Sequence, residues 1–251
     1  MKLSVVVITQ NEAAVIRRCL ESVAWADELV VLDSGSDDGT PDIARSLGAR
    51  VEPSRDWPGF GPQKNRAVEW AGGDWILSLD ADEWVSPELA AEIRAALADP
   101  GAHAAFRMPR QSSYCGRVMR HSGWWPDYVT RLFRRGAARF SDDAVHERLV
   151  VDGPLGRLRT PLRHEAIRDL EQAIAKMNRY SSDGARMLRA RGRKSGLGTA
   201  VGHGLWTFFR TYALRAGFLD GKEGFMLAVS NAEGAYYRYL KLLLLQRDQH
   251  R

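Results

Sequence analysis

The sequence predicts an α/β fold in which a doubly wound, mostly parallel sheet is followed by a helical extension. Short apolar runs alternate with segments of helical spacing over residues 1–101, the pattern of repeated strand–helix units. Acidic segments directly follow two of the predicted strands, at 33–39 and 80–83, and beyond residue 165 the spacing is helical. We therefore expect a sheet domain over 1–165 and a basic helical extension over 166–251.

Four strand–helix pairs follow one another in the first part. Leu3–Ile8 is an almost continuous run of β-branched residues, typical of a central parallel strand. Thr40-Pro41-Asp42 and Ser86-Pro87-Glu88 each combine a capping side chain, a proline and an acid, which indicates the start of a helix. The other predicted elements are strands at 28–32, 50–52 and 75–79 and helices at 16–23 and 63–71.

The rest of the chain has a different pattern. Strands are predicted at 103–108, 129–133 and 147–151, with loops between them. Helices are predicted at 170–191, 206–219 and 223–246, and residues 192–204 are expected to form a glycine-rich joint.

The net charge of +5 is divided unevenly along the chain. Residues 1–156 contain 18 Lys and Arg against 23 Asp and Glu, whereas residues 157–251 contain 18 against 8. A basic segment at 186–194 and aromatic residues interleaved with arginine at 206–219 favour an anionic membrane surface as the partner. The alternative is a helical flap with a solvated basic face. No nucleic-acid partner is expected, since no recognised binding module is visible.

We expect a reduced, cytoplasmic setting from the cysteines and from the pattern at the start of the chain. The two cysteines form no disulfide framework. Charged residues interrupt the apolar start too early for a signal peptide, and no apolar run reaches the roughly 18 residues of a spanning helix.

The segment Asp80-Ala81-Asp82-Glu83 is the strongest chemical signal. Two carboxylates one residue apart at a strand exit provide hard oxygen ligands, which suit Mg²⁺ or Mn²⁺ bridged to a diphosphate. A capping loop before Ser86 would explain one acid but not three. Because the second acidic loop also follows a strand, we expect a ligand site along the carboxyl edge of the sheet.

Three motifs in chain order resemble those of family-two glycosyltransferases with the GT-A fold: Val5–Glu12, Val31–Thr40 and Leu77–Glu83. A further set is similar to the branch that adds glucose, in β-1,4 linkage, to the inner core of bacterial lipopolysaccharide. That set comprises Trp124–Asp127, Arg131–Phe133, Val145–Glu147 and the tail Trp206–Gly221.

The resemblance implies an inverting, metal-dependent hexosyltransferase with a nucleotide-sugar donor, UDP-glucose being expected, and a lipid-linked oligosaccharide acceptor. Asp33 would accept hydrogen bonds from the pyrimidine ring, and Thr9 and Glu12 would line the nucleotide pocket. Asp82 would touch Mg²⁺ or Mn²⁺, with Asp80 nearer the ribose or a metal-bound water. The protein would then lie peripherally on the cytoplasmic face of the inner membrane.

Five further residues have competing interpretations. Lys64 and Asn65 either reach the donor or belong to a solvated helix face. His146 is either an additional metal ligand or a structural histidine. Asp127 is favoured as the base that deprotonates the acceptor, because it follows an aromatic platform and precedes Arg-Leu, with Glu147 as the alternative. Either acid could instead be an ion-pair partner.

Other functions are also open. The acceptor could be another cell-envelope glycan or a polyprenyl phosphate. A nucleotidyltransferase would usually have a glycine-rich nucleotide loop, whereas Thr9–Glu12 contains no glycine. A non-catalytic scaffold that binds sugar or lipid is less well supported, because Asp33, Asp80 and Asp82 are all present. The oligomeric state is left open.

Overall fold

A computed structural model of the protein describes residues 1–142 and 148–247. The chain divides into two compact units. The first contains residues 1–110 and 127–164, and the second contains residues 111–126 together with the chain from 165 onwards. The division made from the sequence had assigned residues 111–126 to the first part.

Strands and helices alternate in the first half of the chain. In order they are β1 (Leu3–Thr9), α1 (Ile16–Ser22), β2 (Glu28–Asp33), α2 (Thr40–Ser46), β3 (Arg50–Pro53), α3 (Phe60–Glu69), β4 (Trp75–Asp80), β5 (Glu83–Trp84) and α4 (Pro87–Ala98). Next come β6 (Ala105–Tyr114), β7 (Arg117–Val118), β8 (Asp127–Arg134), β9 (Ala138–Phe140), β10 (Leu149–Val151), β11 (Leu155–Arg157) and β12 (Leu162–Ile167). The last helices are α5 (Leu170–Ala190), α6 (Leu197–Phe209) and α7 (Gly221–Arg247).

The main sheet is mixed, as expected for an α/β fold with a parallel centre. Its strand order is β3-β2-β1-β4-β8-β6-β12-β5. The pairs β1–β2, β1–β4 and β2–β3 are parallel, whereas β8 runs antiparallel to β4 and β6. The parallel centre confirms the repeated strand–helix units predicted from the sequence.

The centre of this sheet is buried on both faces. Every residue of β1 is buried. Val5 and Val7 belong to one apolar cluster, and Val6 and Ile8 belong to another. Since successive side chains of a strand point to opposite faces, the two clusters lie on opposite faces of the strand. This burial holds the carboxyl end of β1 in a fixed position.

The second unit is largely helical, and it corrects two expectations. Residues 192–204 are not a joint throughout, because α6 already begins at Leu197. The predicted helix at 206–219 is interrupted. After α6 the chain forms a π-helical turn at Arg210–Leu214 and a 3-10 turn at Gly217–Asp220, with Ala216 between them at a φ of 52°. The alternation of apolar and basic residues does not report such local breaks.

Candidate active site at the carboxyl edge of the sheet

Strand register brings the two acidic loops together. Thr9 is paired with Asp33 across β1 and β2, and Ile8 is paired with Asp80 across β1 and β4. Because these strands are parallel, their last residues share one edge of the sheet. The structure therefore places Thr9, Asp33 and Asp80 side by side, as the two strand exits predicted.

Asp33 organises the loop that follows β2. One carboxylate oxygen accepts hydrogen bonds from the backbone N–H groups of Gly35 and Ser36, at 3.0 and 2.9 Å. The other accepts from the hydroxyls of Thr9 and Ser36, at 3.0 and 2.6 Å. Asp33 and Thr9 are both buried. The contact between Asp33 and a pyrimidine ring stays a prediction.

The loop after β1 is braced against the loop after β2. Asn11 has a φ of 58° and receives a hydrogen bond from the backbone of Asp37 at 2.9 Å. The backbone N–H of Glu12 donates to the Thr40 hydroxyl at 2.9 Å. A hydrogen bond from that same hydroxyl is the main reason why the pKa of Asp38 lies below its usual value. These hydrogen bonds hold the loop after β1 against the loop after β2.

Asp80 is held by two buried cations. The ammonium of Lys64 lies 2.8 Å from one carboxylate oxygen, and the guanidinium of Arg131 contacts the other. Both cationic side chains are buried, whereas that of Asp80 is about a third exposed. Burial alone would raise the pKa of Asp80, but the charges of Arg131 and Lys64 outweigh it and hold that pKa well below its usual range.

Glu83 is a fully buried carboxylate that anchors this loop from behind. It is 0% exposed, and one of its oxygens lies 2.7 Å from Arg131 and 3.3 Å from Arg110. Its other oxygen accepts the backbone N–H of Asp80 at 3.0 Å. Burial disfavours the charge on Arg131, but Asp80 and Glu83 outweigh that effect and raise the pKa of its guanidinium. Buried charges such as those of Glu83 and Arg131 persist only when an ion-pair partner compensates them.

The same network reaches Asp127, the favoured base. Arg110 donates to one oxygen of Asp127 from two nitrogens, at 2.9 and 2.7 Å. The Asp127 side chain is 41% exposed. A continuous chain of ion pairs thus runs through the first unit, from Asp127 through Arg110, Glu83 and Arg131 to Asp80 and Lys64, which we call the charge chain. No pattern in the sequence indicates a role for Arg110 or Glu83, although Glu83 stands within the acidic motif.

Asp82 has a histidine neighbour that no motif in the sequence indicates. The imidazole of His164, on β12, lies 3.5 Å from the Asp82 carboxylate. The antiparallel pairing of β12 with β5, which sets His164 opposite Glu83, places it there. Among residues 1–142 and 148–247 no group of three or more His, Cys, Asp or Glu side chains is arranged to hold a metal. The predicted sites His146 and Glu147 lie outside the described residues.

Lys64 and Asn65 have different environments although they are neighbours on α3. Lys64 belongs to the charge chain at Asp80. Asn65 forms a two-way clamp with the backbone of Phe140: its amide nitrogen donates to the Phe140 carbonyl, and its amide oxygen accepts the Phe140 N–H, both at 2.9 Å. Asn65 thus ties α3 to β9, and direct contact of either residue with a donor stays a prediction.

This chain is similar to known proteins along most of its length. The profile of glycosyl transferase family 2 matches residues 4–155. The chain belongs to glycosyl transferase family 2. The matched range includes the two strand-exit loops and the whole charge chain, all of which lie in the first unit.

Relatives of similar length extend the likeness to the whole chain. A glycosyltransferase of Rickettsia felis is 32% identical over 98% of this chain and 90% of its own length. The lipopolysaccharide core biosynthesis glycosyltransferase LpsC of Rhizobium meliloti is 30% identical over 96% of this chain and 90% of its own. The solved structure of TarS residues 1–349 from S. aureus has a TM-score of 0.50 over 99% of this chain and 92% of that chain, at 14% identity. The fold of this glycosyltransferase is therefore of the GT-A type.

Proposed function

We propose that this family 2 glycosyltransferase is an inverting, cation-dependent hexosyltransferase, which moves glucose from UDP-glucose onto a lipid-borne oligosaccharide such as a lipopolysaccharide core. The observation that carries the proposal is the charge chain, which joins the acidic loop at Asp80 to the exposed acid Asp127 in one unit. The printed name of the Rhizobium meliloti relative supports the class of acceptor.

Asp127 is the residue to which we assign the acceptor proton. Its carboxylate is 41% exposed, so an acceptor hydroxyl can approach it. Arg110 donates hydrogen bonds from two nitrogens to one carboxylate oxygen of Asp127. These bonds fix the orientation of the carboxylate and make Arg110 a positioning residue. A base placed in this way contributes about 10²–10⁴-fold to the rate of a displacement reaction.

The acidic loop fits a divalent cation shared with a diphosphate. Mg²⁺ is usually held by one or two carboxylates together with substrate phosphates, and carboxylates suit Mn²⁺ equally. Asp82 would be the direct ligand with the His164 imidazole beside it, because Asp80 is already engaged by Lys64 and Arg131. A bound Mg²⁺ or Mn²⁺ would neutralise the negative charge that develops on the leaving diphosphate.

Lys64 and Arg131 hold the Asp80 carboxylate ionised and in place beside this loop. We propose that Asp80 lies nearer the ribose, and that Thr9, Glu12 and Asp33 border the nucleotide, as the shared edge of β1, β2 and β4 suggests.

The lipid-borne acceptor implies that the enzyme works at a membrane surface, on the cytoplasmic face of the inner membrane. No helix within the described part of the chain is long and apolar enough to cross a bilayer. The excess of basic residues after position 157 suits an anionic surface.

The test is a screen of nucleotide sugars in the presence of Mn²⁺, with release of the nucleoside diphosphate as the readout. We expect UDP-glucose to be consumed and Asp127→Asn to be almost inactive. The matched control is Asp42→Asn, which removes an exposed carboxylate paired with Arg45 and should keep full activity. The proposal fails if the wild type consumes no nucleotide sugar and if no nucleotide sugar raises its melting temperature. The protein would then be a scaffold rather than an enzyme.

A further inference from the structure

Helix α6 presents an apolar stripe that the described residues of the second unit leave about half exposed. Leu197, Val201, Leu205 and Phe209 follow one another at intervals of four residues, so they lie along one face of the helix. With Trp206 they are between 44% and 69% exposed. We call these five residues the α6 stripe.

The opposite face of α6 packs against α7. Ala200 and Gly204 are buried, and a Cβ atom added to Gly204 would lie 3.3 Å from the side chain of Tyr236 on α7. In contrast, a Cβ atom added to Gly198 or Gly202 would meet nothing within 4 Å among the described residues. The helix is therefore fixed on one side and open on the other.

Helix α6 contains no Asp, Glu, Lys or Arg, but basic residues flank it at both ends. Residues 184–219 contain no Asp or Glu. Their basic residues near α6 are Arg189, Arg191, Arg193 and Lys194 before the helix and Arg210 and Arg215 after it. An uncharged apolar face bordered by positively charged side chains is complementary to an anionic surface with an apolar interior.

The dimensions of α6 suit a helix that lies in the membrane interface. Its 13 residues correspond to about 20 Å, less than the roughly 30 Å of a bilayer core. Trp206 adds a side chain with an apolar body and a polar N–H group, which favours the boundary between lipid and water.

We propose that the α6 stripe inserts into the interfacial region of an anionic phospholipid leaflet, while the flanking arginines and Lys194 contact the headgroups. This inference rests on the membrane location given under the proposed function and deepens it by naming the surface that binds. The other occupant to be considered is a second copy of this chain. Two such surfaces would bring twelve positive charges together, which opposes self-association.

The test measures binding to vesicles of phosphatidylcholine alone or mixed equally with phosphatidylglycerol. The perturbed variant is Val201→Gln with Leu205→Gln. Its matched control is Leu170→Gln with Ile174→Gln, since these residues are also about half exposed and one turn apart, but lie on α5 beside the acidic Asp169 and Glu171. Circular dichroism checks that both variants are folded.

We expect the wild type to bind the anionic vesicles and the stripe variant to bind at least about tenfold more weakly, because two aliphatic side chains would no longer be transferred from water into the lipid. The control should stay within about twofold of the wild type, in keeping with the small effects of most surface substitutions. Replacing Arg189, Arg191, Arg193 and Lys194 by Gln should also weaken binding and reduce its dependence on salt.

Three results would overturn the inference: no binding of the wild type to anionic vesicles, equal binding of wild type and stripe variant, or a wild-type dimer that the stripe variant dissociates. Release of nucleoside diphosphate from the donor is measured in parallel and should be unchanged in the stripe variant. If the wild type shows no donor turnover but still binds the vesicles, the result counts against the proposed function and not against the α6 stripe.

Discussion

Replacing Arg131 by Met should strongly destabilise the first unit. Arg131 is buried and pairs with both Asp80 and the fully buried Glu83, the latter at 2.7 Å. Its loss leaves Glu83 with Arg110 at 3.3 Å as its only other cation in the described residues. Removing one partner of a buried ion pair costs about 3–5 kcal/mol, because the remaining charge is left without compensation.

A control variant separates the loss of unfolding free energy in Arg131→Met from the general effect of removing an arginine. Arg45→Met removes an ion pair of similar length, 2.8 Å to Asp42, in which both side chains are more than half exposed. Exposed pairs contribute about 0–1 kcal/mol. Unfolding in urea, followed by circular dichroism at pH 7, gives the free energy of unfolding of both variants.

A charge-balanced double variant tests the cause. In Arg131→Met with Glu83→Gln the buried negative charge is removed as well, and the glutamine oxygen can still accept the N–H of Asp80. This double variant should be more stable than Arg131→Met alone by about 1 kcal/mol or more, within the range of coupling energies between contacting residues. If Arg131→Met costs no more than Arg45→Met, or if the double variant is the less stable, Arg131 does not stabilise the fold by compensating the buried charge of Glu83.

Three further outcomes are expected. Asp82→Asn should abolish most turnover while the fold persists, and UDP binding measured by calorimetry should weaken mainly when Mn²⁺ is present; full wild-type activity in excess chelator would remove the metal role. Asp127→Asn should lower turnover by about two orders of magnitude with donor affinity unchanged, whereas that pattern in Glu147→Gln, with Asp127→Asn active, would reverse the assignment. The depressed pKa of Asp80 stabilises the fold above the unfolded-state pKa of about 3.9, and this contribution is lost as the pH falls toward the folded-state value. Asp80→Asn should therefore show a shallower loss of unfolding free energy between pH 5 and acid than the wild type, and identical slopes would contradict the ionised state of Asp80.

Much of the sheet domain could be predicted because its signals are local. The β-branched run at the start of the chain and the Ser86-Pro87 helix start each describe their own segment, and both elements occur where expected, with the Ser86 hydroxyl accepting the N–H of Leu89. The two acidic loops were placed on one edge because parallel strands present their ends together. Start signals were less reliable for α6, whose first glycine-rich turns contain no capping side chain.

Ion-pair partners could not be predicted, because they depend on strand register rather than on spacing. Lys64 and Arg131 meet at Asp80 although they are 67 positions apart in the chain. His164 reaches Asp82 only through the pairing of β12 with β5. For Asn65 nothing in its own sequence neighbourhood indicates the clamp on Phe140.

The sequence by itself determined the class of fold and the acidic strand exits, because residue type and periodicity act over a few neighbouring positions. Its three motifs carried the resemblance to the family. The tertiary structure decided which charges neutralise one another, which acid is tied to Arg110, and which face of α6 stays open. These depend on contacts between distant segments, where burial sets the strength of each interaction. The charge chain and the α6 stripe are therefore properties of the folded chain, and not of any one motif.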